Sequence, residues 1–209
     1  KRAQKAQEEG YFDNEIIKVK VKDRRGNVTI VENDEEVSRV KFDKIPSLRP
    51  VFNKEGTVTA ANASSINDGA AAVLLMSADK AKELGLKPIA KVLSHASAAK
   101  APEWFTTAPA DAIPIALKRA GKEISDIDLF EINEAFSVVS LANNDILELD
   151  ADKVNIHGGA VSIGHPLGCS GARIVVTLIH ALQRTGGSSG CAGICNGGGG
   201  ASAIVIERL

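Results

Sequence analysis

Hydrophobic and polar positions along the 209-residue chain sort into short segments of two different periods. Polar, helix-prone Lys1–Glu9 ends at Gly10, the pattern of a helix tail. Apolar and basic residues alternate through Ile16–Lys22, which predicts a half-exposed strand. Arg25-Gly26-Asn27 predicts a turn and Asn27–Val31 the returning strand. Asp34–Pro50 is charged and poor in pattern. Residues 1–50 therefore read as a small peripheral unit.

From Thr57 onwards small and apolar residues become dense. Thr57–Ala61 reads as extended, Asn62–Gly69 as turn-rich, and Ala70–Met76 as a strand buried on both faces. Ser77 predicts the N-cap of a helix that runs to Leu84 and is closed by Gly85. Ile89–Ser97 reads as a strand. Pro109–Ala120 reads as a helix closed by Gly121, Ile127–Ile132 as a buried strand and Glu134–Leu147 as an apolar helix. Residues 169–184 are apolar on nearly every helical face, as expected of a helix buried mid-domain. Cys191–Cys195 and Ala201–Glu207 read as strands flanking Asn196–Gly200. Strands alternating with helices predict an α/β layered domain, with ligands at the carboxyl ends of its strands.

Composition adds exclusions rather than detail. Hydrophobic content of 44%, charged content of 24% and a net charge of -1 suit a globular protein and give no basic surface for nucleic acid. Three cysteines fit a reducing compartment better than a disulfide framework. No apolar run is long enough to suggest a membrane span. The first residue is Lys1, so the sequence reads as a mature product, a fragment or part of a longer chain.

Candidate chemistry gathers at the glycine-rich turns. In Gly158–Ala172, GGAVSIGHPLGCSGA, His165 is flanked by glycine and proline, which favour a turn that exposes an imidazole. Asn133 follows a strand, Cys195 ends one and precedes four glycines, and Ser64 sits in the turn before Ala70. Three of them have a structural reading: a hydrogen-bonded histidine, a helix-capping asparagine, an inert buried cysteine. Zinc at Cys169, Cys191, Cys195 and His165 fits no usual module spacing. Together at equivalent strand ends, His165, Cys195 and Asn133 make a plausible site for acyl chemistry. An imidazole can move a proton or hold an oxyanion, and an asparagine amide can donate to one. A thiol among backbone N–H groups is expected to have its pKa lowered. Basic Arg39, Lys41 and Lys44 read either as solvated surface or as contacts to a phosphorylated ligand.

Asn133-Glu134-Ala135-Phe136, Gly158–Gly171 and Cys195–Gly200 resemble, in order, three C-terminal signature blocks of the thiolases. Asn62–Gly69 and the Ala-rich run after it resemble a further thiolase segment, so the likeness covers essentially the whole chain. TVTAANASS-INDGAAAVLLM and CNGGGGAS are closest in character to biosynthetic acetyl-CoA acetyltransferases. The resemblance implies a layered α-β-α thiolase-like fold, with 1–50 the end of a loop domain and 51–209 the C-terminal half.

It further implies roles. His165 would activate a nucleophilic cysteine, Cys195 would take a proton from the acetyl methyl, and Asn133 and Gly197 would serve two oxyanion holes. Ser64, Arg39, Val40, Lys41, Lys44, Phe52, Phe105, Ala135 and Phe136 would contact the coenzyme A thioester, which is a substrate and not a tightly bound cofactor. Bulky Phe105, beside Trp104, would restrict acyl length. Ala60, Ala61, Ala63 and Val161 match backbone potassium ligands of some members. The implied setting is a homo-oligomer, dimer or tetramer, in the cytoplasm or mitochondria. One departure stands out: no motif here matches the acyl-accepting cysteine, which thiolases carry in an N-terminal half missing from this sequence. A degradative 3-ketoacyl-CoA thiolase and a non-catalytic module of the same fold are the competing readings.

Overall fold

The computed structural model describes residues 1–209. Helix α1 (Arg2–Glu8) buries Ala3 and Ala6. Strands β1 (Val19–Lys22) and β2 (Val28–Val31) form an antiparallel hairpin whose eight strand residues are all exposed. Its turn is held by Asp23, whose carboxylate accepts the Arg25 and Asn27 N–H groups at 2.8 and 2.9 Å. Helix α2 (Glu35–Arg39) starts at Asp34, which accepts from Glu36 N–H. Helix α3 (Ala78–Glu83) is capped by Ser77, as expected.

Four strands make the main sheet: β3 (Ala90–Ala99), β4 (Leu129–Ile132), β5 (Ser189–Cys195) and β6 (Gly200–Arg208). Their order is β3-β6-β5-β4, antiparallel except for the parallel pair β4 and β5. Helices α4 (Pro109–Arg119), α5 (Ser137–Ile146), α6 (Ala160–Ile163) and α7 (Ser170–Thr185) complete the chain.

Two glycines of β5 show how the layers close. A Cβ on Gly190 would come within 2.9 Å of Leu178 in α7, and one on Gly193 within 3.0 Å of Ile113 in α4. Residues three apart on a strand face opposite ways, so the sheet lies between α7 and α4. Leu129 and Ile206 pack with Ile174, Leu178 and Leu182 on the α7 side. Phe130, Ile132 and Val205 pack with Ile113 and Leu117 on the other. Strand β4 is buried on both faces, which is why Leu129–Ile132 is apolar apart from Glu131. Its outer edge is covered by a side chain. The Asn155 amide accepts from Ile132 N–H and donates to Ile132 C=O, both at 2.8 Å.

Two expectations fail. Ala70–Met76 forms no strand, and Leu74 is 81% exposed. A strand needs a hydrogen-bonding neighbour, and no strand of the sheet runs beside this segment. The helix expected from Glu134 starts only at Ser137. Ala63 captures Phe136 in an antiparallel bridge, with Ser64 N–H bonded to Ala135 C=O and Ser137 N–H to Asn62 C=O, so Phe136 is held extended and the helix cannot start before Ser137.

The N-terminal segment is fastened to the main domain through His157. Arg184 Nε donates to His157 Nε2 at 2.8 Å and stacks its guanidinium 4.0 Å over the Tyr11 ring, while Phe12 meets His157 edge-on. His157 is fully buried; burial first, then Arg184 and His180, push its pKa down to about 4. A depressed histidine pKa means the unfolded chain binds the extra proton first. Its stabilising effect is therefore complete above pH 6.5 and lost as pH falls towards about 4. The thermal midpoint of the wild type should fall more steeply across that window than that of His157→Gln, whose amide still accepts from Arg184. Equal slopes would contradict this account.

Candidate active site

Parallel strands β4 and β5 end side by side, so the residues that follow them share one edge of the sheet. Asn133, the residue after β4, is fully buried and its N–H bonds to Gly193 C=O at 2.9 Å. Cys195 closes β5 two residues beyond Gly193. The Asn133 side chain does not cap a helix: Nδ2 lies 3.3 Å from His165 Nε2. The structure thus joins two residues 32 apart in sequence.

Glu134 arranges the histidine segment. Its carboxylate accepts from Asn155 Nδ2 at 3.0 Å and from the Val161 N–H at 3.2 Å. A Cβ at Gly159 would lie 2.3 Å from that carboxylate, so glycine is required for the approach. Gly164 has φ +90 and faces Asn67, a conformation that favours glycine. His165 N–H then bonds to Ser65 C=O at 2.9 Å, which fixes the backbone beneath the imidazole. Its Nδ1 lies 2.6 Å from Ser170 Oγ. His165 is 9% exposed, and burial, followed by the charge of Arg173, lowers its pKa and favours the neutral imidazole.

Behind this pair lies an ion pair. Glu131 in β4 is fully buried, with Arg173 of α7 at 3.4 Å. Burial pushes the Glu131 pKa up from the ordinary carboxylate range, and Glu134 and Glu15 add to the rise, while the Arg173 guanidinium beside it opposes the rise and favours the charged carboxylate. Sequence reasoning missed Glu131, Arg173, Ser170 and Glu134. The signals available were a lone carboxylate in the apolar strand Leu129–Ile132 for Glu131 and the signature blocks that contain Glu134 and Ser170.

Cys195 is 8% exposed, and burial raises its pKa above the ordinary thiol value. This reverses the expected lowering: the dipoles of its turn matter less than the loss of water around the sulfur. Across Asn196–Gly200, Asn196 Oδ1 accepts the Gly198 and Gly200 N–H groups, and Asn196 and Gly199 bond within the turn. The Gly197 N–H bonds to no group of the chain, and the space around Gly197 is open. Cys191 is fully buried with its thiol pushed up to about 12, an inert group.

Ser64 Oγ donates to Ala135 C=O at 2.8 Å, and Phe52 meets Phe136 edge-to-face at 6.1 Å, so these four residues adjoin one another. Phe105 is half-buried in the turn Pro102–Thr107 and packs on the α4-side core, as do Ala135 and Phe136. Arg39, Val40, Lys41 and Lys44 are exposed. Arg39 pairs with Glu35 and Glu36 of its own helix, and Lys44 sits 3.7 Å from Asp43, so none is joined to the histidine cluster. Helix α2, which carries Arg39, packs against α6. The carbonyls of Ala60, Ala61 and Ala63 accept no backbone hydrogen bond, and Val161 adjoins Glu134 through its own N–H. No helix is long and apolar enough to cross a membrane.

The family model "Thiolase, C-terminal domain" matches residues 86–208, and "Thiolase, N-terminal domain" matches residues 1–79. A probable acetyl-CoA acetyltransferase of Dictyostelium discoideum is 58% identical over 208 residues, covering 100% of this chain and 50% of its own length. The crystal structure of the Bacillus anthracis acetyl-CoA acetyltransferase superposes with a TM-score of 0.96 at 44% identity, covering all of this chain and 53% of its own. A thiolase from Ascaris suum solved with coenzyme A gives 0.88 at 49% identity, with the same coverage. The chain spans about half the length of the relatives it matches.

Proposed function

The chain belongs to the thiolase family, and from that premise we propose that the complete protein is an acetyl-CoA C-acetyltransferase. It joins two acetyl-CoA into acetoacetyl-CoA and CoA, and runs the reverse thiolysis. The observation that carries this reading is the contact of Asn133 with His165 beside the end of β5, where Cys195 precedes a free Gly197 N–H.

In the first half-reaction His165 Nε2 takes the proton of a nucleophilic cysteine, a residue that no motif of these 209 residues supplies. The thiolate attacks the thioester carbonyl, and CoA leaves as the thiol, taking up the proton that His165 received. A donor from the Asn133–His165 pair faces the oxyanion, directly or through water. In the second half-reaction Cys195 takes a proton from the methyl group of a second acetyl-CoA. The carbanion attacks the acyl-enzyme, with the Gly197 N–H placed to hold an oxyanion. Ser64, Phe52, Ala135, Phe136 and Phe105 line the approach of the thioester, and the exposed Arg39–Lys44 stretch meets the nucleotide end of coenzyme A. The coenzyme A bound to the Ascaris suum neighbour supports this choice of substrate. Unpartnered carbonyls at Ala60, Ala61 and Ala63 suit a potassium ion, to which Val161 C=O would be the further ligand. A reducing compartment, cytoplasmic or mitochondrial, suits the three free cysteines.

The complete protein should cleave acetoacetyl-CoA with added CoA, and the homogeneous 209-residue chain should not, because the covalent step lacks its nucleophile. Cleavage by the verified isolated chain would overturn this reading. Faster cleavage of longer 3-ketoacyl thioesters by the complete protein would replace it with the degradative one.

A further inference from the structure

Both edges of the His165 ring are held, and the two sets of partners agree on where its proton sits. At one edge, Nδ1 lies 2.6 Å from Ser170 Oγ, which itself lies 3.1 Å from Pro166 C=O. A carbonyl only accepts and a hydroxyl has one proton to give. Once Ser170 donates to Pro166, the Ser170 oxygen must accept from Nδ1–H. At the other edge, Asn133 Nδ2 faces Nε2 at 3.3 Å, and Asn133 Oδ1 faces the Arg173 guanidinium at 3.5 Å. A guanidinium only donates. The amide oxygen must therefore turn to Arg173, the amide nitrogen to His165, and Nε2 must accept.

We infer that Arg173 is a positioning residue: by holding the amide of Asn133, it fixes His165 as the tautomer with its proton on Nδ1 and a bare Nε2. The ion pair with Glu131 of β4 holds the guanidinium in place, on a rigid strand rather than a loop. Without Arg173 the chain of bonds can reverse. The Asn133 amide turns over and presents oxygen to an Nε2–H, while Ser170 swings its proton from Pro166 to Nδ1. Every group is satisfied in that arrangement too, but Nε2 can no longer take a proton. Arg173 removes the degeneracy, because the reversed amide would aim N–H at N–H.

The inference rests on the base role assigned to His165, and its test separates the two. Nitrogen-15 spectra of the imidazoles in the complete enzyme read the tautomer without reference to turnover. Wild type and Arg173→Lys should show a pyrrole-like Nδ1 and a pyridine-like Nε2 at His165, and Arg173→Met should show the opposite tautomer or a mixture. With that change, kcat of Arg173→Met should fall about 10²-fold, the lower range for a positioned base, while KM stays within about twofold of wild type; Arg173→Lys should recover most of it. Should Arg173→Met fail to fold because Glu131 is left alone, Glu131→Gln/Arg173→Met carries the same test. A wild-type proton on Nε2, or a Nδ1–H tautomer unchanged in a folded Arg173→Met variant, would overturn the inference. A switched tautomer with undiminished kcat would keep the positioning and remove the base role of His165.

Discussion

His165→Ala in the complete enzyme is expected to lose about 10⁴-fold in kcat/KM, and His165→Asn distinctly less. General base catalysis supplies roughly 10²–10⁴-fold, and one oxyanion donor roughly 10²–10³-fold. Groups acting as a unit do not add, which keeps the combined loss near the upper single figure rather than the product. An Asn at 165 retains an amide donor but no base, so it should recover part of the oxyanion share. The substitution should leave the fold intact. The backbone of residue 165 is anchored by its own N–H to Ser65 C=O, independently of the ring. Thiolysis rates of the two variants, with circular dichroism as the fold control, check this. Full activity in either would leave His165 a structural residue.

Cys195→Ser is expected to divide the two half-reactions. Acylation of the nucleophile should persist, whereas condensation should fall by roughly 10²–10⁴-fold, the share of a positioned base. A serine hydroxyl is close in size to the thiol but has a far higher pKa, so little alkoxide forms. The pH profile gives a second reading. Burial raises the Cys195 pKa above its ordinary value, so at neutral pH the thiolate is the minor form and grows about tenfold per pH unit until that pKa is reached. Condensation by the wild type should therefore rise towards alkaline pH, and the serine variant should lose that rise. An acyl-enzyme burst measured beside steady turnover separates the steps; equal losses in both would contradict the assignment.

The sequence makes some of this legible and hides the rest for physical reasons. His165, Cys195 and Asn133 stand out because polar groups at glycine turns and strand ends contrast with apolar surroundings. Helix α7 and strands β5 and β6 are predicted within a few residues, because burial leaves its period in the sequence. Ala70–Met76 misleads for the same reason: an apolar run reports a tendency to be buried, not the presence of a neighbour. The late start of α5 was hidden because Ala63, the bridge partner that holds Phe136 extended, lies far back in the chain. The Glu131–Arg173 pair spans 42 residues, so the strand shows the carboxylate but not what answers it. The Cys195 shift depends on depth in the protein, which motif spacing does not contain.

The strand order β3-β6-β5-β4 has a consequence for synthesis. Strand β6, residues 200–208, sits between β3 and β5 and bonds to both. While the chain is being made, β3 has left the ribosome with no edge to join until more than a hundred further residues are added. At roughly 5–20 residues per second that wait lasts on the order of 5–20 seconds. During it the ten residues Ala90–Ala99 are an open edge, available to a chaperone or to a neighbouring nascent chain. Strand β5, joined to β6 by the short turn Asn196–Gly199, is made only just before it, so β3 cannot find its place in the sheet until synthesis of this chain is nearly done.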